Sequence, residues 1–236
     1  MNSNIIFRQL FDEKSWTYTY ILADSETQEA LIIDPVRDQI DRDLKLIAEF
    51  GITLTHILDT HIHADHITGS GLLRQKTGAK IAMGEGAHIA KPDILLADGE
   101  IFTVGDIRVK AISTPGHTDV CTSYFIGDML FTGDTLLIRK TGRTDFQGGS
   151  AERLYDSIQS KIYTLPDTAQ IYPGHDYTGQ TMSTVGEEKS YNTRIKDTTT
   201  LVEFVETMQA VNLDYPKYID IALPANMQLG IYDNQK

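Results

Sequence analysis

The chain has 236 residues, of which 41% are hydrophobic and 23% are charged, and this ordinary globular composition argues against long disordered segments. Its formal net charge of −12 at pH 7 argues against nucleic acid and anionic membranes as partners, because both attract clustered lysine and arginine. A single cysteine, Cys121, no recognisable signal peptide and no run of about 18 apolar residues together favour a cytoplasmic protein without disulfides.

The first third of the chain alternates strand-like and helix-like patterns. Aromatic and β-branched residues predict a strand over 16–24 and a second strand over 29–35. Apolar residues at helical spacing then predict a helix over 36–50. A short buried strand is expected over 55–60, and a helix is expected over 67–78. A cluster of histidines lies between these last two elements.

Two β-hairpins are predicted in the middle of the chain, over 100–114 and 121–135. Each contains two apolar runs joined by Gly-Asp, and a glycine at the first central position suits a type II′ turn. Helical spacing returns over 151–165. A further strand is expected over 169–175, and an amphipathic helix is expected over 198–213.

This order of elements predicts an α/β fold of the αββα sandwich type, with two mixed sheets flanked by helices. The sequence contains no internal repeat and no flexible linker, so a single domain over 1–236 is the simplest arrangement. The segments that carry histidines follow predicted strands. We therefore expect the histidines to meet at one edge of the sheets, where loops usually carry the chemistry of a fold.

Seven side chains are candidate metal ligands, and most lie in short motifs that follow strands. The stretch HIHADH places three histidines and an aspartate within six residues, although the whole chain has only 7 histidines. Imidazole and carboxylate ligands suit zinc, iron or manganese, and the lack of cysteine argues against a structural zinc site. Glycines in TPGH and YPGH would let the backbone approach a crowded centre. The candidates are His61, His63, Asp65, His66, His117, Asp134 and His175.

The motifs HIHADH, PGHTD, FTGDT and PGHDY resemble the signature of the metallo-β-lactamase fold, of which HxHxDH is the most specific part. Longer strings resemble one subfamily, the persulfide dioxygenases, also called sulfur dioxygenases. Among them are THIHADHITGSGLLR, FTGDTLLIRKTGRTDFQGG, STVGEEK and IDIALPANM. They extend from about residue 55 to about residue 230, so the resemblance covers most of the chain.

The resemblance implies one Fe(II) per chain, bound by His61, His117 and Asp134. Two histidines and one carboxylate leave open positions on iron for a sulfur ligand and O2. The implied reaction oxidises a low-molecular-weight persulfide, above all glutathione persulfide, with O2 to sulfite and free thiol, and the implied assembly is a homodimer. The remaining donors would surround the iron site and hydrogen-bond to its ligands or to water; they are His63, Asp65, His66 and His175.

The resemblance also implies three residues of the substrate site. Arg143 and Tyr177 would support catalysis, and Arg143 could pair with a carboxylate of the substrate. Together with Arg194, they would line the groove for the thiol carrier. The alternatives are a structural ion pair between Arg143 and Asp145, and ordinary surface positions for Tyr177 and Arg194.

The chain departs from the animal members of the family at two positions. Those proteins carry a cysteine before GRTDF and another after PANM, where this chain has Thr141 and Leu229. Any role of those two cysteines therefore does not apply here. The remaining Cys121 is expected to be a buried, unreactive thiol.

Two other functions remain open on the residues alone. A glyoxalase II-like thioester hydrolase would use the donors in a dinuclear centre, with a metal-bound hydroxide as nucleophile. The tail of this chain lacks the longer helical domain and basic glutathione-binding motif that are usual in that family. A non-catalytic, metal-dependent interaction protein is the other alternative, but a structural metal is normally closed by four protein ligands.

Overall fold

Two facing β-sheets form the centre of the protein, as seen in a computed structural model that describes residues 4–231 and only the backbone of residues 88 and 89. The first sheet has six strands in chain order: β1 (Ile5–Asp12), β2 (Thr17–Asp24), β3 (Glu29–Ile33), β4 (Thr53–Leu58), β5 (Lys80–Gly84) and β6 (Ile94–Leu96). The pairs β1–β2 and β2–β3 are antiparallel, and β3 to β6 are parallel. The sheet is therefore mixed, as predicted.

The second sheet also has six strands: β7 (Ile101–Val104), β8 (Ile107–Ser113), β9 (Thr122–Ile126), β10 (Met129–Gly133), β11 (Gln170–Pro173) and β12 (Ser183–Thr184). Their order across the sheet is β12-β11-β10-β9-β8-β7. The pair β10–β11 is parallel, and the other pairs are antiparallel. The second sheet is consequently mixed as well.

Helices cover the outer faces of both sheets: α1 (Ile40–Glu49), α2 (Ser70–Thr77), α3 (Ala151–Ser157), α4 (Val185–Tyr191), α5 (Leu201–Gln209) and α6 (Ile219–Asn226). The hydrophobic core forms three layers. One lies between the sheets, one between the first sheet and α1 and α2, and one between the second sheet and α3 and α5. This arrangement confirms the predicted αββα sandwich. No helix in residues 4–231 is long and apolar enough to span a bilayer.

Both predicted hairpins are confirmed. Two-residue turns at Gly105–Asp106 and Gly127–Asp128 join β7 to β8 and β9 to β10. Gly105 and Gly127 have φ values of +55° and +63°. A type II′ turn requires such a left-handed residue at its first central position, and glycine adopts it without strain.

The other predicted elements are present with shifted ends. The helix predicted over 36–50 begins with a 3-10 turn at Arg37–Gln39 before α1, and the helix predicted over 151–165 changes after α3 to a π-helical turn at Ile158–Ile162. Elements that the sequence pattern did not predict are β1, β5, β6, β12, α4 and α6. Strand β12 has only two residues, and α6 contains Pro224, which is unfavourable inside a helix.

The candidate ligands lie at one edge of the two sheets, as predicted. HIHADH follows β4, and the PGH motif of His117 lies in the loop between β8 and β9. Asp134 directly follows β10, and His175 follows β11. Four separate strand ends therefore supply the donors of one centre.

Candidate metal centre

Three of the predicted donors come together at this edge: His61, His117 and Asp134. One possible ligand atom from each lies within 4.8 Å of those of the other two. His117 Nε2 is 3.7 Å from Asp134 Oδ2. We call these three residues the triad. The structure thus brings together the three residues that the resemblance implied as iron ligands.

Hydrogen bonds fix the orientation of both imidazoles of the triad. His117 Nδ1 donates to the carbonyl oxygen of Arg143 at 2.7 Å. His61 Nδ1 lies 3.0 Å from Oγ1 of Thr60, whose hydroxyl already donates to Asp34 at 2.9 Å, so the histidine is the donor. Both Nε2 atoms therefore keep their lone pairs, which is the form that binds a metal.

The charge states of the triad also suit a metal. Burial, together with the neighbouring His63 and His117, holds the pKa of His61 well below its ordinary value. Burial alone would raise the pKa of Asp134, but His175 and His117 hold it well below the usual range. A neutral imidazole beside an ionised carboxylate is the state that ligation requires, because protons compete with the metal for these atoms.

Close approach of the backbone explains two glycines beside the triad. A Cβ atom at Gly142 would lie 2.3 Å from the carbonyl oxygen of Asp134 and 2.8 Å from His117 Nδ1. A Cβ atom at Gly174 would lie 2.7 Å from Asp134 Oδ1. Any larger residue would therefore displace a donor. Gly174 belongs to a PGH motif whose glycine the sequence analysis singled out, whereas Gly142 was missed because its string, TGRTDF, drew attention only to Arg143.

A second set of donors lies beside the triad: His63, Asp65 and His66, which we call the second cluster. One oxygen of its carboxylate, Oδ2 of Asp65, is already engaged by the protein. Asp65 Oδ2 accepts hydrogen bonds from His66 Nδ1 at 2.8 Å and from His175 Nε2 at 2.9 Å. It also accepts one from the hydroxyl of Thr17 at 3.1 Å. This oxygen is therefore saturated without a metal.

His175 connects the second cluster to the triad. Its Nε2 donates to Asp65 and its Nδ1 donates to Asp134 Oδ1 at 2.7 Å. Burial alone would lower the pKa of His175, but the two carboxylates raise it well above its ordinary value. Because both ring nitrogens donate to carboxylates, neither has a lone pair to offer a metal in this arrangement.

Two nitrogens of the second cluster, His63 Nδ1 and His66 Nε2, are buried without a hydrogen-bond partner in the described structure. Burial, with the charge of His66, lowers the pKa of His63 to about 4. His63 Nε2 donates to Asp34 at 3.1 Å, so Nδ1 carries a free lone pair. Buried polar atoms of this kind are normally satisfied by water or an ion. The residues present therefore fit a metal at the triad. Beside it, the two nitrogens of His63 and His66 are buried without a hydrogen-bond partner in the described structure.

One buried side chain holds the HIHADH loop from the far end of the chain. Asn226, at the end of α6, donates from Nδ2 to the carbonyl oxygens of His63 and His66, both at 2.8 Å. Its Oδ1 accepts from the backbone amide of Thr68 at 2.9 Å. PANM was significant in the sequence only for its resemblance, and this contact was not predicted. Thr17 and Asp34 were also missed, because neither belongs to a motif that was singled out.

A cavity of about 470 Å³ opens beside the triad, and the three predicted substrate residues all border it. Arg194 donates from Nη1 to the carbonyl oxygen of Thr141 at 2.6 Å. The ring of Tyr177 stacks on that of His175, with 6.0 Å between centroids and 10° between planes. Both side chains therefore line the cavity that opens beside the triad.

Arg143 is already engaged on the wall of this cavity. Its Nε and Nη2 donate to the carboxylate of Asp145 at 2.6 and 2.7 Å, and its Nη1 donates to the carbonyl oxygen of Asp214 at 2.8 Å. The structural ion pair considered from the sequence is therefore present. A carboxylate of a substrate would have to compete with Asp145 for the same guanidinium.

Cys121 is buried, as expected, and burial raises the pKa of its thiol to about 12. A protonated and inaccessible thiol is unreactive. Thr141 and Leu229, the two positions at which the sequence was expected to depart from its relatives, are also buried.

The chain as a whole is similar to known proteins. A family model described as the metallo-beta-lactamase superfamily matches residues 17–175. The mitochondrial persulfide dioxygenase ETHE1 of Bos taurus is 47% identical over 229 residues, covering 96% of this chain and 89% of the relative, and the human protein of the same name is 46% identical over the same coverage. The crystal structure of ETHE1 from Myxococcus xanthus has a TM-score of 0.92 and 48% identity, covering 96% of this chain and 100% of that one. This chain therefore belongs to the metallo-β-lactamase superfamily and, within it, to the ETHE1 family of persulfide dioxygenases.

Proposed function

We propose that this protein is a persulfide dioxygenase that uses one Fe(II) per chain and O2 to oxidise a low-molecular-weight persulfide, such as glutathione persulfide, to sulfite and free thiol. The observation that carries this proposal is the triad, with two imidazoles and one ionised carboxylate beside an open cavity. Such a donor set is typical of Fe(II) oxygenases. The identity of 47% with a persulfide dioxygenase over 96% of the chain supports the same reaction.

The protein's own residues prepare this site. His61, His117 and Asp134 would bind the iron, which when bound would bring the persulfide sulfur and O2 together and pass electrons between them. The carbonyl oxygen of Arg143 holds His117 in the tautomer with a free Nε2. The imidazolium of His175 holds Oδ1 of Asp134 and thereby leaves Oδ2 facing His117.

The proposed reaction balances without an external reductant. The persulfide, O2 and one water give the thiol, sulfite and two protons. The outer sulfur is oxidised and O2 is reduced. The sulfur–sulfur bond breaks with its electron pair on the carrier thiol. O2 supplies two oxygen atoms of sulfite, and water supplies the third.

Thioester hydrolysis of the glyoxalase II type is the second candidate, and it rests on His63 Nδ1 and His66 Nε2, which have no partner in the described structure. A dinuclear centre would use these nitrogens, but it would also draw on His175 and Asp65. His175 donates from both nitrogens to carboxylates, and Asp65 Oδ2 already accepts three hydrogen bonds. This bonding pattern favours the mononuclear centre.

Oxygen uptake tests the proposed function. Anaerobically iron-loaded protein is mixed with glutathione persulfide, and O2, sulfite and thiol are measured on one sample, with the Asp134→Asn variant as control. We expect O2 consumption in step with sulfite in the wild type and almost none in the variant. Hydrolysis of S-lactoylglutathione without any O2 uptake would contradict the proposal and make the protein a thioesterase.

Three wider features belong to the same proposal: a cytoplasmic location, a homodimer and a single domain. Light scattering on the purified protein tests the dimer. One cooperative unfolding transition by fluorescence and circular dichroism would support a single domain, because the layer between the two sheets is built from both halves of the chain. Cell fractionation tests the location.

A further inference from the structure

One loop contacts two residues of the triad through its backbone. It consists of residues 139–143, which follow β10, and we call it the supporting loop. The backbone amide of Gly142 donates to the carbonyl oxygen of Asp134 at 2.9 Å. The carbonyl oxygen of Arg143 accepts the hydrogen bond from His117 Nδ1 at 2.7 Å. The path of this loop therefore sets which nitrogen of His117 is free and where the backbone of Asp134 lies.

Residues at the end of α4 and just beyond it hold the supporting loop. Three consecutive carbonyl oxygens of the loop accept hydrogen bonds from their side chains. The pairs are Arg139 with Thr193 Oγ1 at 2.7 Å, Lys140 with Asn192 Nδ2 at 3.1 Å, and Thr141 with Arg194 Nη1 at 2.6 Å. The backbone of the loop is thus fixed residue by residue from a part of the chain outside the triad.

Glu188, in α4, is the fully buried centre of these contacts. Its Oε2 accepts hydrogen bonds from the backbone amide of Arg139 and from Nδ2 of Asn192, both at 2.8 Å. Its Oε1 accepts from the guanidinium of Arg139 and from the hydroxyl of Ser183. One carboxylate therefore orients the first residue of the supporting loop and also Asn192, which holds the next carbonyl group.

The supporting loop begins in a backbone conformation that needs such help. Arg139 has a φ of +62°, in the left-handed region that residues with a Cβ atom rarely adopt. A conformation of this kind persists only where its surroundings determine it. If Arg139 returned to a negative φ, the chain would leave β10 in another direction and carry Gly142 and Arg143 away from the triad.

We infer that Glu188 is a positioning residue of the metal centre. Through Arg139 and Asn192 it holds the supporting loop in the path that fixes His117 and Asp134. The inference rests on the proposed function, because the centre that Glu188 serves is the proposed iron site. It also gives a physical role to the string STVGEEK, in which Glu188 is the second glutamate.

The alternative is that Glu188 only attaches α4 to the protein through its ion pair with Arg139. The two carboxylate oxygens separate these roles, since Oε1 makes the ion pair and Oε2 holds the loop. In Glu188→Gln, the carbonyl oxygen of the amide can take the place of Oε2 and keep both loop contacts. The ion pair is then lost, but Arg139 still donates to Glu187 at 2.8 Å. Glu188→Ala removes both roles.

The tautomer of His117 in the metal-free protein tests the inference without a measurement of activity. Proton–nitrogen NMR in mildly alkaline solution, where free imidazole is neutral, shows which ring nitrogen carries the proton. We expect the proton on Nδ1 in the wild type and in Glu188→Gln, and a mixture of both tautomers in Glu188→Ala. His61, which is held by Thr60, should keep its proton on Nδ1 in all three proteins.

Iron affinity is the second readout, and α1 supplies a matched control. We expect the affinity to fall by about 10- to 100-fold in Glu188→Ala and to stay near the wild-type value in Glu188→Gln. The control is Asp43→Ala, which also removes a fully buried carboxylate that pairs with an arginine, Arg42, at 2.8 Å. Since α1 covers the first sheet, this variant should keep the wild-type tautomer and iron affinity.

Asn192→Ala keeps the test decisive if Glu188→Ala does not fold. It leaves the ion pair of Glu188 in place and removes the donor to the carbonyl oxygen of Lys140, so the same mixture of His117 tautomers is expected. A single Nδ1–H tautomer with wild-type iron affinity in the folded alanine variants would overturn the inference. Equal losses in Glu188→Gln and Glu188→Ala would also overturn it, because they would assign the effect to the ion pair. The expected tautomers and affinities without any O2 uptake in the wild type would instead reject the proposed function and leave the positioning role intact.

Discussion

The triad and the second cluster contain the same kinds of side chain but differ in what their atoms already bind. In the triad, His61 and His117 each use Nδ1 for a hydrogen bond and keep Nε2 free. In the second cluster, Asp65 Oδ2 is saturated by three donors, and the neighbouring His175 has no free nitrogen. Of these two adjacent sets of histidine and aspartate, the triad has free nitrogens that can bind a metal, whereas Asp65 Oδ2 and His175 are occupied by hydrogen bonds.

The difference teaches that the hydrogen bonds around the donors, as much as the donors themselves, set which atoms are free to bind a metal. All seven candidate ligands are present, as they would be in a dinuclear enzyme. Partners such as Thr60, Thr17 and the carbonyl of Arg143 decide which lone pairs remain. The second cluster then serves to hold Asp134 through His175.

Matched carboxylate variants give the largest expected contrast between the two regions. Asp134→Asn removes the negative charge of the triad, and we expect the iron affinity and the rate of O2 uptake to fall by more than about 100-fold. This is more than the loss usual for a group that only hydrogen-bonds to a metal ligand. Asp65→Asn makes the same change of atoms in the second cluster. This variant should still bind one iron per chain, but its rate of O2 uptake should fall by about 10- to 100-fold. Metal analysis and O2 uptake measure both. Equal loss of iron in the two variants would contradict the proposed difference between the triad and the second cluster.

Gly142→Ala tests whether backbone packing maintains the triad. The new Cβ would lie 2.3 Å from the carbonyl oxygen of Asp134 and 2.8 Å from His117 Nδ1, so these groups must move. We expect the iron affinity to fall by about 10- to 100-fold, the loss that is usual when a group that hydrogen-bonds to a metal ligand is removed. Circular dichroism should show that the variant is folded. Wild-type iron affinity in this variant would show that the triad does not depend on this contact.

Asn226→Ala tests whether the hydrogen bonds from the end of α6 stabilise the loop that carries the second cluster. It removes three hydrogen bonds and leaves the buried carbonyl oxygens of His63 and His66 without this donor. We expect a loss of about 1–3 kcal/mol in the free energy of unfolding, and weaker iron binding. Denaturant titration and iron titration measure these effects. The exposed Asn212→Ala is the control, and equal stability of the two variants would contradict the account.

Arg143→Lys should have the smallest effect, because the atom of Arg143 that serves the triad is its backbone carbonyl. Lysine keeps the positive charge but cannot make the two parallel bonds to Asp145 or hold residues 213–214 in the same way. We expect iron content to stay at the wild-type level and KM for the persulfide to rise by less than about tenfold. Loss of iron would show that the side chain also supports the metal.

Much of this arrangement could be predicted from the sequence, because hydrophobic periodicity and short motifs are local. The alternation of strands and helices predicted the αββα sandwich, and the strand ends predicted where the donors meet. Glycine at the first turn position predicted the hairpins at Gly105 and Gly127. These features depend on residues close together in the chain.

Features that depend on distant partners could not be predicted in this way. Asn226 lies about 160 residues from the carbonyls that it binds, and nothing in its own surroundings signals that contact. Likewise, no motif reveals that His175 donates to two carboxylates, because Asp65 and Asp134 reach it from separate strands. Strand β1 and helix α6 were missed for a local reason, since half-exposed positions in β1 and Pro224 in α6 weaken their patterns.

The number of iron ions bound per chain tests the central claim most directly. Metal-free protein is titrated anaerobically with Fe(II), and the wild type is compared with His61→Ala and His63→Ala. The account predicts one high-affinity iron per chain, lost in His61→Ala and kept in His63→Ala. Two irons per wild-type chain, with one of them lost in His63→Ala, would contradict it and make the second cluster a metal site.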